Sequence, residues 1–321
     1  MARTIPTDTM ASTRDAFATA LIEAAAADPR ICLVSADSLK AARATAFAEK
    51  FPDRVFEVGI CEQAAVAFAA GLASAGLKPF FCTYGCFITM RACEQIRTFV
   101  AYPGLDVKFV GLNGGIYGGE REGVTHMVFE DIGILRAVPG IEIVVPADAG
   151  QTRKATLAIA NRRGPVYLRI GSGRDPVIFD ESVGFEFGKL RLVREYGTDA
   201  AIFANGPVLK RAIVAADKLA EQGIKTTLVE VHTIKPLDVD AIVEVLSRTG
   251  AAVTVEDHNI YGGLGSAIAE VIAERAPARL IRLGLRDVFP ESGEAEQLFD
   301  HFGFGVQHIC DAVRRLIMLK G

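Results

Sequence analysis

Short runs of residues rich in Val, Ile and Phe alternate with longer amphipathic stretches along the whole chain. Ile31–Ser35, Val55–Val58, Pro79–Thr83, Val107–Gly111, Ile143–Val145 and Val166–Ile170 read as strands. Thr13–Ala27, Glu62–Ala75, Met90–Val100 and Gly150–Asn161 read as helices between them. The strand runs are apolar at nearly every position rather than every second one. A strand needs that when both faces of its sheet are covered, and the intervening helices supply the covers, so the pattern predicts a mainly parallel α/β sheet. The pattern breaks at Gly171–Pro176 and again through the acidic stretch Asp180–Gly188. It restarts with strands Ala200–Ala204, Thr226–Val231, Ala252–Glu256 and Leu280–Gly284, helices Val208–Gln222, Val239–Ser247 and Gly265–Glu274, and a closing helix Gly305–Leu319. Two doubly wound α/β domains are expected, residues 1–185 and a smaller 186–321.

A length of 321 residues is consistent with two domains at about 150 residues each. The net charge is −4 and no Lys/Arg block occurs, so neither a nucleic acid nor an anionic membrane has electrostatic support as a partner. The uncharged stretch Ala64–Leu77 is Ala/Gly-rich and shorter than the roughly 20 residues a bilayer span requires. Met1–Arg14 lacks the apolar core of an export signal, and a soluble cytoplasmic protein is expected. The six cysteines show no C-x-x-C spacing and read as buried, reduced thiols rather than a zinc site.

Three segments carry candidate chemistry. Gly262-Gly-Leu-Gly265 follows a strand and opens a helix like a phosphate cradle, but it lacks the G-x-G-x-x-G spacing, and close helix–sheet packing is the expected reason for its glycines. The loop from Asn113 to His126 follows a strand and gathers Asn113, Glu120, Glu122 and His126 on a glycine frame, where open parallel sheets place their ligands. Glu62 opens an almost wholly apolar helix. It reads either as a carboxylate favoured by the helix dipole or as one held in a desolvated site, sharing a proton with a ligand nitrogen.

Val58-Gly-Ile-Cys-Glu-Gln63, Thr83-Tyr-Gly-Cys-Phe87, Glu122-Gly-Val-Thr-His126, Val144-Val-Pro-Ala-Asp148 and Val255-Glu-Asp-His258, in this order and spacing, resemble the C-terminal half of transketolase: the pyrimidine-binding domain followed by the transketolase C-terminal domain. The resemblance runs from about Thr13 to Leu319. It implies a thiamine-diphosphate enzyme in which Glu62 hydrogen-bonds the aminopyrimidine N1′ and promotes proton removal from the thiazolium, so that Glu62 is catalytic as well as cofactor-binding. Tyr84 and Phe87 would line the pyrimidine, Met90 would replace a frequent aromatic, and Asp37 matches an acidic position at the cofactor and subunit contact. Glu122 and His126 match residues that bind substrate hydroxyls, with His126 also placed among the catalytic groups.

Two positions depart from the family pattern. Asn113 stands where a histidine near the substrate carbonyl is usual. The usual phosphate-binding arginine falls near Ser172, leaving Arg169 or Arg174 to replace it in the substrate set. The preferred ketose is therefore expected to lie outside the common pentose-phosphate intermediates. No Gly-Asp-Gly motif occurs, so the Mg²⁺ that neutralises the diphosphate is expected to be held by a separate N-terminal subunit, in an α2β2 assembly. The implied activity is ketol transfer from a ketose to an aldose. The β subunit of a 2-oxoacid dehydrogenase E1 component and a catalytically silent assembly subunit stand as alternatives.

Overall fold

The computed structural model describes residues 3–4 and 9–320; Met1 and Gly321, the outer limits of the two expected domains, lie outside the described residues. A seven-stranded sheet runs Thr233–Lys235, Glu142–Val144, Val166–Arg169, Lys108–Leu112, Lys78–Tyr84, Ile31–Ser35, Val55–Glu57 from edge to edge. Its strands are parallel except Thr233–Lys235, which adds antiparallel to Glu142–Val144. Consecutive side chains enter different cores. Leu33, Phe80, Val110 and Leu168 pack with Phe17, Leu21, Ala155 and Ile159 of the helices Thr13–Ala27 and Ala149–Ala160. Val34, Phe81, Phe109 and Tyr167 pack with Ala65, Val66 and Ala69 of the helix Glu62–Ser74. Both faces are covered, which is why the strands read as unbroken apolar runs.

A five-stranded sheet follows, ordered Arg279–Leu285, Ala251–Asn259, Ala200–Ala204, Thr226–Glu230, Arg191–Glu195, parallel except at the last pair. Helices Leu209–Glu221 and Val306–Lys320 close one face. The helices Val239–Thr249 and Leu264–Glu274 share their core with the first sheet: Ile242, Leu246 and Ile268 belong to the same apolar cluster as Phe81 and Phe109. The two sheets are thus joined by packing as well as by chain.

Several elements differ from expectation. The helix expected at Met90–Val100 is π-helical at Phe87–Arg91 and Ile96–Ala101 around one α-turn at Cys93–Gln95. The strand expected at Thr226–Val231 ends at Glu230, and the chain then returns as Thr233–Lys235 to the edge of the first sheet. Arg191-Leu-Val-Arg-Glu195 is an edge strand with two arginines, so it lacks the apolar run of a central strand. Cys32, Cys82, Cys86 and Cys310 are buried free thiols, but Cys61 is exposed beside Glu62. No helix among the described residues is long and apolar enough to cross a membrane.

The cradle-like Gly262–Gly265 turn already holds a carboxyl group of its own chain. The Glu256 carboxylate accepts the amides of Leu264 and Gly265 at 2.6 and 2.8 Å, and a Cβ on Gly263 would collide with it. Burial pushes this carboxyl up to about 7, while it pushes nearby His258 down to about 4. The two act oppositely on stability. Between the ordinary 4.5 of Glu256 and about 7, the unfolded chain has released the proton that the fold retains, so rising pH costs stability. His258 costs stability as pH falls from 6.5 towards 4. Glu256→Gln stays neutral and leaves His258 in place, so its stability relative to the parent should rise steadily from pH 4.5 to 7, as read by urea denaturation at each pH. A pH-independent difference would remove Glu256 from this balance.

Candidate functional site

The side chains singled out in the first domain lie at or beyond the carboxyl ends of its parallel strands, where open α/β sheets place their ligands. The edge loops are tied by Glu57, whose Oε1 accepts the amides of Asp37 at 2.6 Å and Gly59 at 3.0 Å. Asp37 itself is exposed, with a left-handed φ of 54°. The loop then delivers Glu62 as the first residue of its helix, where the dipole favours a carboxylate. The Glu62 side chain is 4% exposed, and its Oε1 accepts Arg91 Nη1 at 2.8 Å.

Arg91 links this carboxylate to an aromatic surface. Its guanidinium lies 3.8 Å from the centre of the Phe87 ring. Phe87 meets Tyr84 edge-on at 5.5 Å, and His126 stands edge-on to Tyr84 at 4.9 Å and to Phe87 at 5.3 Å. The π-helical turn brings Arg91 onto Phe87 and leaves Met90, 46% exposed, on the same turn. Glu62, Tyr84, Phe87 and His126 are therefore one continuous surface. The Nδ1 of His126 is engaged by the Thr125 hydroxyl at 3.0 Å.

Sequence reasoning misses Arg14. Asp175 accepts the Thr13 hydroxyl at 2.7 Å and the Thr13 amide at 3.2 Å, fixing the start of the helix Thr13–Ala27. The next residue, Arg14, is 8% exposed and donates to Asn113 Oδ1, to the Gly171 carbonyl at 3.2 Å and to the Ala41 carbonyl at 3.0 Å. All three acceptors are neutral. Burial holds its pKa below the ordinary value, opposed by the charges of Tyr84, Glu122 and Asp175. A buried cation bonded only to neutral oxygens is an energetic liability that an anionic ligand relieves. The signal in the sequence is faint: one arginine at the start of an alanine-rich helix.

Two expected substrate residues are buried. Arg169 is 3% exposed and donates through Nε to Asp131 Oδ2 at 2.8 Å and through Nη2 to the Val128 carbonyl at 2.6 Å and the Asp257 carbonyl at 2.9 Å, so most of its guanidinium is committed to the protein itself. Asn113 is fully buried with a left-handed φ of 59°, below the surface rather than at it, and its Nδ2 has no hydrogen-bond partner among the described residues. Arg174 and Glu122 are exposed; the charge of Glu122 is felt by Arg14 and Tyr84, that of Arg174 by the half-buried Glu120. Among the described residues, no group of three His, Cys, Asp or Glu side chains is arranged to hold a metal ion.

Comparison with known proteins identifies both domains. Residues 9–173 match the transketolase pyrimidine-binding domain and residues 188–309 the transketolase C-terminal domain. The chain is 39% identical to a 6-deoxy-6-sulfo-D-fructose transketolase subunit of a Clostridium species, covering 96% of this chain and 95% of that one. It is 37% identical to an apulose-4-phosphate transketolase subunit of Phocaeicola vulgatus, covering 94% and 96%. A solved split-gene transketolase, described as an inactive beta4 tetramer, superimposes with a TM-score of 0.88 at 35% identity over 98% of this chain and 100% of that chain. The transketolase of Leishmania mexicana has the same fold, with a TM-score of 0.81 at 22% identity over 98% of this chain and 47% of its own length. The chain belongs to the transketolase family, as a split-gene subunit with the pyrimidine-binding and C-terminal domains.

Proposed function

We propose that this chain is the C-terminal subunit of a two-component transketolase that moves a two-carbon ketol unit from a ketose to an aldose. Its domains would be residues 1–185 and 186–321, working in the cytoplasm as an α2β2 complex with a separate N-terminal subunit. That subunit would bring the diphosphate site and its Mg²⁺. The observation that carries the reading is the continuous surface from buried Glu62 through Arg91 and Phe87 to Tyr84 and His126. A flat heteroaromatic ring with a protonatable nitrogen fits such a surface. Tyr84, Phe87 and the Met90 thioether offer it apolar contact, and Glu62 offers a carboxylate. Glu62 Oε2 carries no hydrogen bond among the described residues, yet is not a sealed polar atom.

Thiamine diphosphate, when bound, supplies the electron sink that breaking a ketose carbon–carbon bond requires. Glu62, 4% exposed, would hydrogen-bond the ring nitrogen and exchange a proton with it. Arg91 keeps the carboxylate oriented from its other oxygen. With its Nδ1 held by Thr125, His126 has Nε2 left for a substrate hydroxyl, and Glu122 accepts another. Glu62→Gln keeps the shape but cannot exchange the proton. In the reconstituted complex it should lower turnover by about 10² to 10⁴ with an unchanged fold. Near-parental turnover would remove Glu62 from the chemistry.

The substrate's anionic end is assigned to Arg14, with Arg174 at the rim, and not to residue 172. Relatives named for a sulfonated fructose and for apulose 4-phosphate fit a modified ketose bearing a terminal anion. A charged hydrogen bond contributes about 1.5–3 kcal/mol, roughly a tenfold to hundredfold effect. Arg14→Gln should therefore lower kcat/KM for sulfonated and phosphorylated ketoses by that factor relative to an uncharged ketose in the same preparation. In the parent complex, sulfonated or branched ketoses should outperform xylulose 5-phosphate. An equal loss for charged and uncharged ketoses would reduce Arg14 to a structural residue.

A further inference from the structure

Glu122 and His126 stand on a loop with little regular structure of its own, and the groups that shape it come largely from the second sheet. Asp257, fully buried on the strand Ala251–Asn259, accepts the Ile116 amide through Oδ1 at 2.9 Å and the Tyr117 amide through Oδ2 at 3.0 Å. These two amides open the short turn Gly115–Gly119. Gly115 makes the approach possible: its φ is +77°, and a Cβ there would run into the Asp257 carboxylate. The loop's far end is held at the same place. Gly115 donates to the Val128 carbonyl at 2.7 Å, and Arg169 Nη2 grips both that carbonyl and the carbonyl of Asp257. Asn259, two residues along the strand, donates to Phe129 at 2.7 Å. Farther round, Gly293 donates to the Glu120 carbonyl at 3.1 Å.

We propose that Asp257 is a positioning residue: from the second domain it sets the neck of the loop, and so the placement of Glu122 and of His126, which stands edge-on to Tyr84 and Phe87. This rests on the transfer reaction proposed above. A carboxylate can satisfy two adjacent amides because both its oxygens accept. An asparagine of the same shape satisfies one and turns an NH₂ towards the other. The C-terminal domain thereby takes part in substrate recognition without touching the substrate.

The test is Asp257→Asn in the full chain, read in two ways. Hydrogen exchange of the Ile116 and Tyr117 amides should quicken by about tenfold to a hundredfold, the range for a lost charged hydrogen bond, with the strand Thr226–Glu230 unchanged. In the reconstituted complex, KM for the donor ketose should rise by about tenfold while the Kd for thiamine diphosphate is unchanged, because Glu62, Tyr84 and Phe87 are not on the loop. Gly115→Ala pushes on the same contact from the opposite side. It should give the same split between KM and Kd, and the double variant should be no worse than the poorer single one. Faster exchange with an unchanged KM would overturn the proposal and leave Asp257 a purely structural residue, as would unaltered exchange. If Asp257→Asn does not fold, a parental KM in Gly115→Ala overturns it. A parental complex with no ketol transfer at all would overturn the reaction instead, and the exchange result would then decide whether Asp257 holds the loop.

Discussion

A single buried guanidinium holds the molecule's working parts together. Arg169 ends a central strand of the first sheet, 3% exposed, and reaches Asp131, the far end of the loop bearing Glu122 and His126 at Val128, and the second sheet at Asp257. Asp131 also accepts the Tyr167 hydroxyl at 2.7 Å. An ion this deep is tolerable only because a carboxylate and two carbonyls surround it. Removing one partner of such a pair typically costs about 3–5 kcal/mol, because the other charge is left stranded. That commitment to structure is why the proposed anion site is placed at Arg14 instead.

Around this anchor the functional residues divide by what positions them. Glu62 depends on a helix start, Tyr84 on a strand end, and Phe87 and Arg91 on a π-helical turn whose wider winding sets the cation on the ring. All of these belong to the first domain. Glu122 and His126 depend on a loop secured across the boundary between the domains. The chain therefore presents an aromatic wall, a carboxylate and the loop bearing Glu122 and His126, with Arg14 buried near Glu122 and Tyr84. It offers no cluster of acidic groups for a divalent ion among the described residues. The proposed second polypeptide would complete the crevice rather than build another one.

Much of the fold was legible because parallel strands covered on both faces must be apolar throughout, as Ile31–Ser35 and Ala200–Ala204 are. Thr233–Lys235 was not, because three residues of an edge strand carry no periodicity and their partner lies about 90 residues earlier in the chain. The π-helical winding at Phe87 was also hidden, since an α-helix and a π-helix share the same residue preferences over one turn. Glu62, Tyr84, Phe87 and His126 could be named from motif spacing, and they do come together. The burial of Asn113 and Arg169 could not, because the sequence places a residue at a strand end without saying which side chain closes over it. Asp257 was visible within the Val255–His258 motif, but its hydrogen bonds span about 140 residues.

If this chain holds the pyrimidine side of a cofactor site, as proposed, another polypeptide must complete that site. Isothermal titration of the purified chain with thiamine diphosphate and Mg²⁺, repeated after addition of the N-terminal subunit, addresses this dependence. No saturable binding is expected to the chain alone, and stoichiometric binding, one cofactor per copy of this chain, once the N-terminal subunit is present. Tight stoichiometric binding to the chain alone would contradict the proposed division of the site.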